Sequence, residues 1–288
     1  MFAEEWPLLT FTLLTQLAVG SYIFFVMIRS SNKKRCNNLG ITVTKRGMFL
    51  IGPVMLVALI FSVFHLGTPF GAYRSILNLD SSWLSREILF SGGFFALWIV
   101  SYYLDRKGAW NQMVGWITSI VGIGAIFCMA SIYTASIRPA WTDANTYLAF
   151  YGTTLVFGAA ASMVSILLCK EAKSEEFMGV VKRIGLTGLG VIFIQLIYLP
   201  VYVAGLPVDG GQAGVESVGL ITGTYAFPTI IRWVLSTIGL AMIGFIFSRE
   251  MEQKAKFKFY YAAFVFVLVG EFLGRYIFYG IGVSIIVG

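Results

Sequence analysis

Eight stretches of the chain, near residues 7–28, 47–67, 87–104, 113–136, 146–169, 184–206, 225–248 and 259–287, are apolar without a polar stripe every third or fourth position. A soluble helix shows such a stripe, because one face meets water; a helix apolar all round is enclosed by other apolar matter. Each stretch is long enough to cross about 30 Å of hydrocarbon, which takes about 17–25 helical residues. The pattern therefore predicts an all-α integral membrane protein, a bundle of eight transmembrane helices. The linkers near 29–46, 68–86 and 207–224 are too short for a soluble domain, so residues 1–288 read as one membrane domain. The stretch 207–224 contains Gly210, Gly211, Gly214, Gly219 and Gly223 and is expected to be a flexible loop. Pro53, Pro200 and Pro228 are expected to kink spans 2, 6 and 7.

Composition agrees, at 58% hydrophobic and 12% charged residues, with a mean hydropathy of +0.81. Charge adds direction. Sixteen of the 21 basic residues fall in the linkers after spans 1, 3, 5 and 7: Arg29, Lys33, Lys34, Arg35, Lys45 and Arg46; Arg106 and Lys107; Lys170, Lys173, Lys182 and Arg183; Arg249, Lys254, Lys256 and Lys258. The alternate face has Arg74, Arg86 and Arg138. By the positive-inside rule both termini are expected outside the cytoplasm. The net charge of +7 is then a topology signal, with the basic loops touching anionic lipid headgroups, and no nucleic-acid partner is expected. Glu4 and Glu5 precede the first span in place of a basic leader region, so that span is expected to be retained. Cys36, Cys128 and Cys169 fit neither a disulfide frame nor a metal site, and there is no Walker loop or dinucleotide fingerprint.

Ionisable groups inside a span cost about 2.5–3.5 kcal/mol each on insertion scales, so each one needs a reason. His65, Glu87, Arg232, Glu271 and Arg275 are the set here. His65 ends the second span and Glu87 opens the third, so both meet the same membrane face. Gly67 and Pro69 are expected to break the helix just after His65, with Tyr73 and Arg74 following. Imidazole titrates near neutral pH, and a carboxylate withdrawn from water becomes a weaker acid, so the two together can take protons from a reduced quinol. Glu271 and Arg275 are four residues apart on one helical face, the spacing of a self-neutralising ion pair. Arg232 is expected to offset a buried carboxylate. Arg74 and Arg86 either anchor span ends at headgroup level or contact a ligand. His65 is the only histidine in the chain, so a haem held between two imidazoles is excluded.

At these residues the chain resembles the DmsC family, the membrane-anchor subunits of dimethyl sulfoxide reductase-type molybdoenzymes. The resemblance is carried by Glu5-Trp-Pro-Leu8 with Phe11, Thr12 and Gln16, then His65-Leu-Gly-Thr-Pro69 and Leu84-Ser-Arg-Glu-Ile88. It continues through Tyr133 with Pro139-Ala-Trp141, and Gly270-Glu-Phe-Leu-Gly-Arg275 with Phe278 and Tyr279. It implies a subunit of the prokaryotic inner (cytoplasmic) membrane that oxidises menaquinol near the outer face. Electrons would pass to an iron–sulfur subunit and on to a molybdopterin catalytic subunit, both on that face, with no haem and no metal on this chain. The family's quinol residues correspond to His65, Gly67 and Glu87, with Arg74 and Tyr133 as further quinol contacts. One departure is Gly71, where the family commonly has arginine; Arg74 offers a substitute. The terminal acceptor meets another polypeptide and is not encoded here. Three other readings stay open: a polysulfide-reductase-type quinone-reactive anchor, a secondary transporter using Glu87, Glu271 and Arg232, and an anchor without a quinone site.

Overall fold

The computed structural model describes residues 2–31, 37–65, 78–169, 175–247 and 253–285, and among these every regular element is helical. In chain order the helices are α1 (Phe2–Ser31), α2 (Asn37–His65), α3 (Trp83–Arg106), α4 (Gln112–Thr134), the short α5 (Pro139–Thr142), α6 (Asn145–Leu167), α7 (Glu175–Thr222), α8 (Ala226–Phe247) and α9 (Gln253–Gly280). All but α5 are long and apolar enough to span a bilayer, which makes eight spans among the described residues. The chain is therefore a multi-pass membrane protein, and each predicted apolar stretch overlaps one of these helices, the last of which ends at Gly280 rather than near 287.

The interior is built on α1 and α6, whose apolar windows are 78% and 72% buried, whereas α2, α3, α7 and α8 bury under a third of theirs. The outer helices present Leu50, Ile120, Phe193, Val201 and Ile230 outward, a surface that only lipid can cover favourably. α1 and α6 run the same way and touch backbone to backbone. A Cβ on Gly20 would collide with the Thr154 carbonyl, and one on Gly158 would lie 2.5 Å from the Gly20 carbonyl. Small residues are what permit such an approach where helices cannot be driven together by the hydrophobic effect.

Polar side chains then fasten helices to one another's carbonyls. Trp98 Nε1 donates to Met48 (3.0 Å), Gln195 Nε2 to Leu148 (2.8 Å), Tyr202 Oη to Ala140 (2.8 Å) and Ser165 Oγ to Val43 (2.9 Å). Loop ends are closed by side chains as well. Asn111 Oδ1 accepts from the Met113 and Val114 N–H groups at the start of α4, and Arg86 donates to the Leu79 and Asp80 carbonyls before α3.

Several elements depart from the sequence expectation. α2 begins at Asn37, a decade of residues before the apolar stretch. Lys45 and Arg46 are good helix formers and are exposed, so they extend the helix with their charges at its surface. Arg29 is no solvated loop charge: it is buried within α1, its Nη1 3.0 Å from Asp105 Oδ1, its Nη2 donating to Asp105 Oδ2 at 3.2 Å and its Nε to Thr44 Oγ1 at 2.7 Å. Pro228 stands in the first turn of α8, where its missing N–H has no helical partner to lose.

The largest departure is 207–224, which is helical rather than a loop. α7 runs to Thr222, with one interruption at Gly211 (φ 52°, ψ −133°), a conformation that favours glycine. A straight helix of 48 residues would be about 72 Å long, more than twice the hydrocarbon thickness. At Gly211 the chain instead folds back, so that a Cβ on Gly214 would strike the Leu206 carbonyl. Ser217 Oγ, within the returning arm, lies 2.8 Å from the Ile281 carbonyl oxygen and fastens the arm to the end of α9.

Candidate functional site

The ends of the bundle where α1, α3 and α6 begin and α2, α4 and α9 finish form one region, and of the expected quinol residues Glu87 and Tyr133 lie there. α2 and α3 are packed against each other, so His65, the last residue of α2, ends at the same level as the start of α3. The His65 side chain, Gly67, Pro69, Tyr73 and Arg74 lie outside the described residues, and the expected helix break there lies outside them too.

Glu87 sits on the second turn of α3 and is only 3% exposed. Ser82 caps that helix, its Oγ accepting from the Ser85 N–H at 3.3 Å, which sets the turn that aims Glu87 inward. No described residue gives the carboxylate an ion pair or a hydrogen bond. It lies within electrostatic reach of Tyr133, Tyr279 and Cys128.

Tyr133 and Tyr279 join α4 to α9 through their hydroxyls, 2.7 Å apart. Thr12 Oγ1 donates to the Leu9 carbonyl (3.0 Å). Either hydroxyl of the tyrosine pair can be the donor. In both arrangements the Tyr133 oxygen keeps a lone pair able to accept a hydrogen bond. Trp141, Phe150 and Phe278 surround the pair at ring-centroid distances of 5.2–5.5 Å from Tyr133. Trp141 is held by its Nε1 donating to the Phe278 carbonyl (2.7 Å) and by the Arg138 guanidinium 4.3 Å above its ring.

Arg275 completes the cluster. Its guanidinium carbon stands 3.7 Å from the centroid of the Phe150 ring, and Nη2 donates to Gln16 Oε1 at 2.9 Å. Gln16 in turn donates from Nε2 to the Phe150 carbonyl (3.0 Å), so one fully buried amide ties α1, α6 and α9 together. Nε and Nη1 of Arg275 are buried without a partner among the described residues. Two charged donors of Arg275 and the Glu87 carboxylate are therefore without hydrogen-bond partners among the described residues.

The expected Glu271–Arg275 ion pair is not formed. Glu271 Oε2 accepts from Thr153 Oγ1 (2.6 Å) and Oε1 from Ser236 Oγ (2.9 Å), while Arg275 turns to Gln16. The i,i+4 spacing put both on one side of α9, but that side is shared between α8 and α1, and each charge follows its own neighbour. Arg232 feels the Glu271 charge without reaching salt-bridge distance, and its guanidinium lies 4.3 Å over Trp233. α8 and α9 can approach this closely because Gly270 and Gly274 stand four apart where Ser236 and Arg232 press in. Gln16 as a clasp, and Thr153 and Ser236 as partners of Glu271, escaped sequence reasoning. A polar residue within each of three apolar spans was the available signal.

Eight apolar spans among the described residues, with a buried polar cluster at one end, define a multi-pass membrane protein. The chain belongs to the DMSO reductase anchor subunit (DmsC) family, whose model matches residues 1–281. It is 28% identical over 294 residues to YnfH of Escherichia coli (strain K12), an anaerobic dimethyl sulfoxide reductase polypeptide, covering 98% of this sequence and 96% of that protein. It is 25% identical over 281 residues to the C polypeptide of the anaerobic dimethyl sulfoxide reductase of Haemophilus influenzae, covering 96% and 94%. The protein is accordingly a membrane anchor of a molybdoenzyme complex of anaerobic respiration.

Proposed function

We propose that this anchor oxidises menaquinol at the end of the bundle where α2 finishes and α3 begins, and that this end faces outside the cytoplasm. The observation that carries the reading is Glu87, a carboxylate 3% exposed, inside a span, with no described partner. A structural buried charge would be held as Glu271 is, by two hydroxyl donors. Among the described residues Glu87 has no such donors, and the proposal gives its oxygens to the quinol.

Quinol oxidation releases two protons and two electrons. Glu87 takes one proton, and His65, at the end of the preceding helix, is the second acceptor. Tyr133, its oxygen free to accept, orients the quinol hydroxyl, and the orphaned N–H groups of Arg275 attract the opposite oxygen as it gains carbonyl character. Gly67 and Arg74, in the sequence between α2 and α3, are the further quinol contacts of this proposal. Trp141, Phe150 and Phe278 keep water out of the cluster. The electrons leave to an iron–sulfur subunit docked on the same face and then to a molybdopterin catalytic subunit. Protons and electrons released on one side move no net charge across the membrane, so the anchor is non-electrogenic.

Residues 1–288 serve this as a single domain, termini outside, in the inner membrane. The orientation rests on the segregation of Lys and Arg to alternate loops. Replacing Glu87 by Gln keeps the shape and removes the proton acceptor. Quinol-dependent turnover should fall by about 10²-fold or more, with activity from an artificial soluble donor retained; equal turnover would reject the proposal.

A further inference from the structure

A second feature lies at the opposite end of the bundle and has no part in the polar cluster. α1, α2, α6 and α9 enclose a cavity of about 800 Å³, walled by Phe25, Val54, Val164 and Phe264 among other apolar side chains. Where it opens, Lys45 and Arg46 of α2 are both exposed. Lys258, one turn before the lining residue Tyr261 on α9, adds a further exposed cation at that end.

The two parts of the cavity differ in chemistry. Inside, the serine hydroxyls of the wall are turned to backbone: Ser21 Oγ donates to the Leu17 carbonyl at 2.6 Å and Ser165 Oγ to Val43 at 2.9 Å. No carboxylate or imidazole lines it among the described residues, so it has nothing to take protons from a quinol. The charged groups of the lining are Lys45 and Arg46. A ligand that fits has a long apolar body and an anionic head.

We propose that this cavity is a specific site for one anionic phospholipid, its phosphate on Lys45 and Arg46 and an acyl chain in the apolar space walled by α1, α2, α6 and α9. Basic pockets between transmembrane helices on the basic-loop face are where such headgroups bind. The lipid fills a gap in the wall around α1, which also carries Gln16 of the polar cluster, so it supports the helix that organises that cluster. This inference does not depend on menaquinol being the substrate.

The test uses the full-length protein in detergent, stripped of lipid and titrated with dioleoyl-phosphatidylglycerol or dioleoyl-phosphatidylcholine under native mass spectrometry. One phosphatidylglycerol should bind per protein in preference to phosphatidylcholine, and inorganic phosphate should not displace it. Lys45→Gln with Arg46→Gln, both at exposed positions, should weaken binding by about 30-fold, about five-fold for each cation near an anionic headgroup. Val54→Trp, which fills the apolar part and leaves the cations, should also abolish it. Equal binding of the two lipids, displacement by inorganic phosphate, or binding that survives both variants would overturn the site. Displacement of the lipid by a menaquinone analogue, one for one, would overturn it in favour of a quinone cavity, whatever Glu87→Gln does to turnover.

Discussion

Removing Asp105 should destabilise the bundle by about 3 kcal/mol, the low end of the range for leaving one member of a buried ion pair behind. The side chains of Arg29 and Asp105 are 0% and 4% exposed, so neither charge can turn to solvent without moving helices. In Asp105→Ala the Arg29 guanidinium keeps Thr44 as an acceptor and the Trp110 ring, whose centroid is 4.5 Å away, and those contacts hold the loss at the bottom of the range. The pair joins the end of α1 to the end of α3, so the loss is felt by the whole fold. The assay is a denaturant titration in mixed micelles, following helicity and Trp fluorescence. Arg29→Met combined with Asp105→Leu should come back to within about 1 kcal/mol of the parent, because apolar side chains of similar volume replace the pair without stranding a charge. An Asp105→Ala protein less than about 1 kcal/mol weaker, or a double variant no better than the single, would refute the pairing as the cause.

Gln16→Leu should destabilise the fold by about 1–3 kcal/mol through the stranded Arg275 donor, read in the same titration, whereas Thr10→Val at the exposed start of α1 should not. Gly20→Val should abolish assembly of the anchor in the membrane, measured as yield of detergent-soluble, monodisperse protein, since the added carbons meet the α6 backbone. A cysteine at Thr224, in the exposed turn between α7 and α8, should label from outside intact cells, and one at Lys107 should not; the reverse pattern inverts the proposed orientation. Purified protein should show no bis-imidazole haem bands in its optical spectrum, since the sequence has one histidine.

The spans were readable because bilayer thickness imposes a length on any apolar helix, and all eight reappear as helices. Their ends were less so. Hydropathy drops at Lys45 and Arg46 while the helix continues, because long basic side chains can leave their charges at the surface. The glycines of 207–224 read as a loop for want of packing information. Only Gly211 needs its special backbone, while Gly210 and Gly214 are close contacts of a helical arm. Glu87 was visible in the sequence as a charge at a span boundary. Its isolation from the described side chains was not, since that depends on which faces of α4 and α9 turn toward it. The Glu271 and Arg275 partners failed for the same reason: i,i+4 spacing states which residues share a face, not which neighbour that face meets.

The most direct test of a quinol site at Glu87 is steady-state turnover of the assembled complex with a menaquinol analogue, for wild type, Glu87→Gln and Glu87→Gln with His65→Ala. A soluble reductant that bypasses the anchor provides the control for each. The account predicts losses of about 10²-fold or more with quinol in both variants, the scale of a missing general base, and unchanged rates with the soluble donor. Wild-type quinol oxidation in a fully assembled double variant would contradict it.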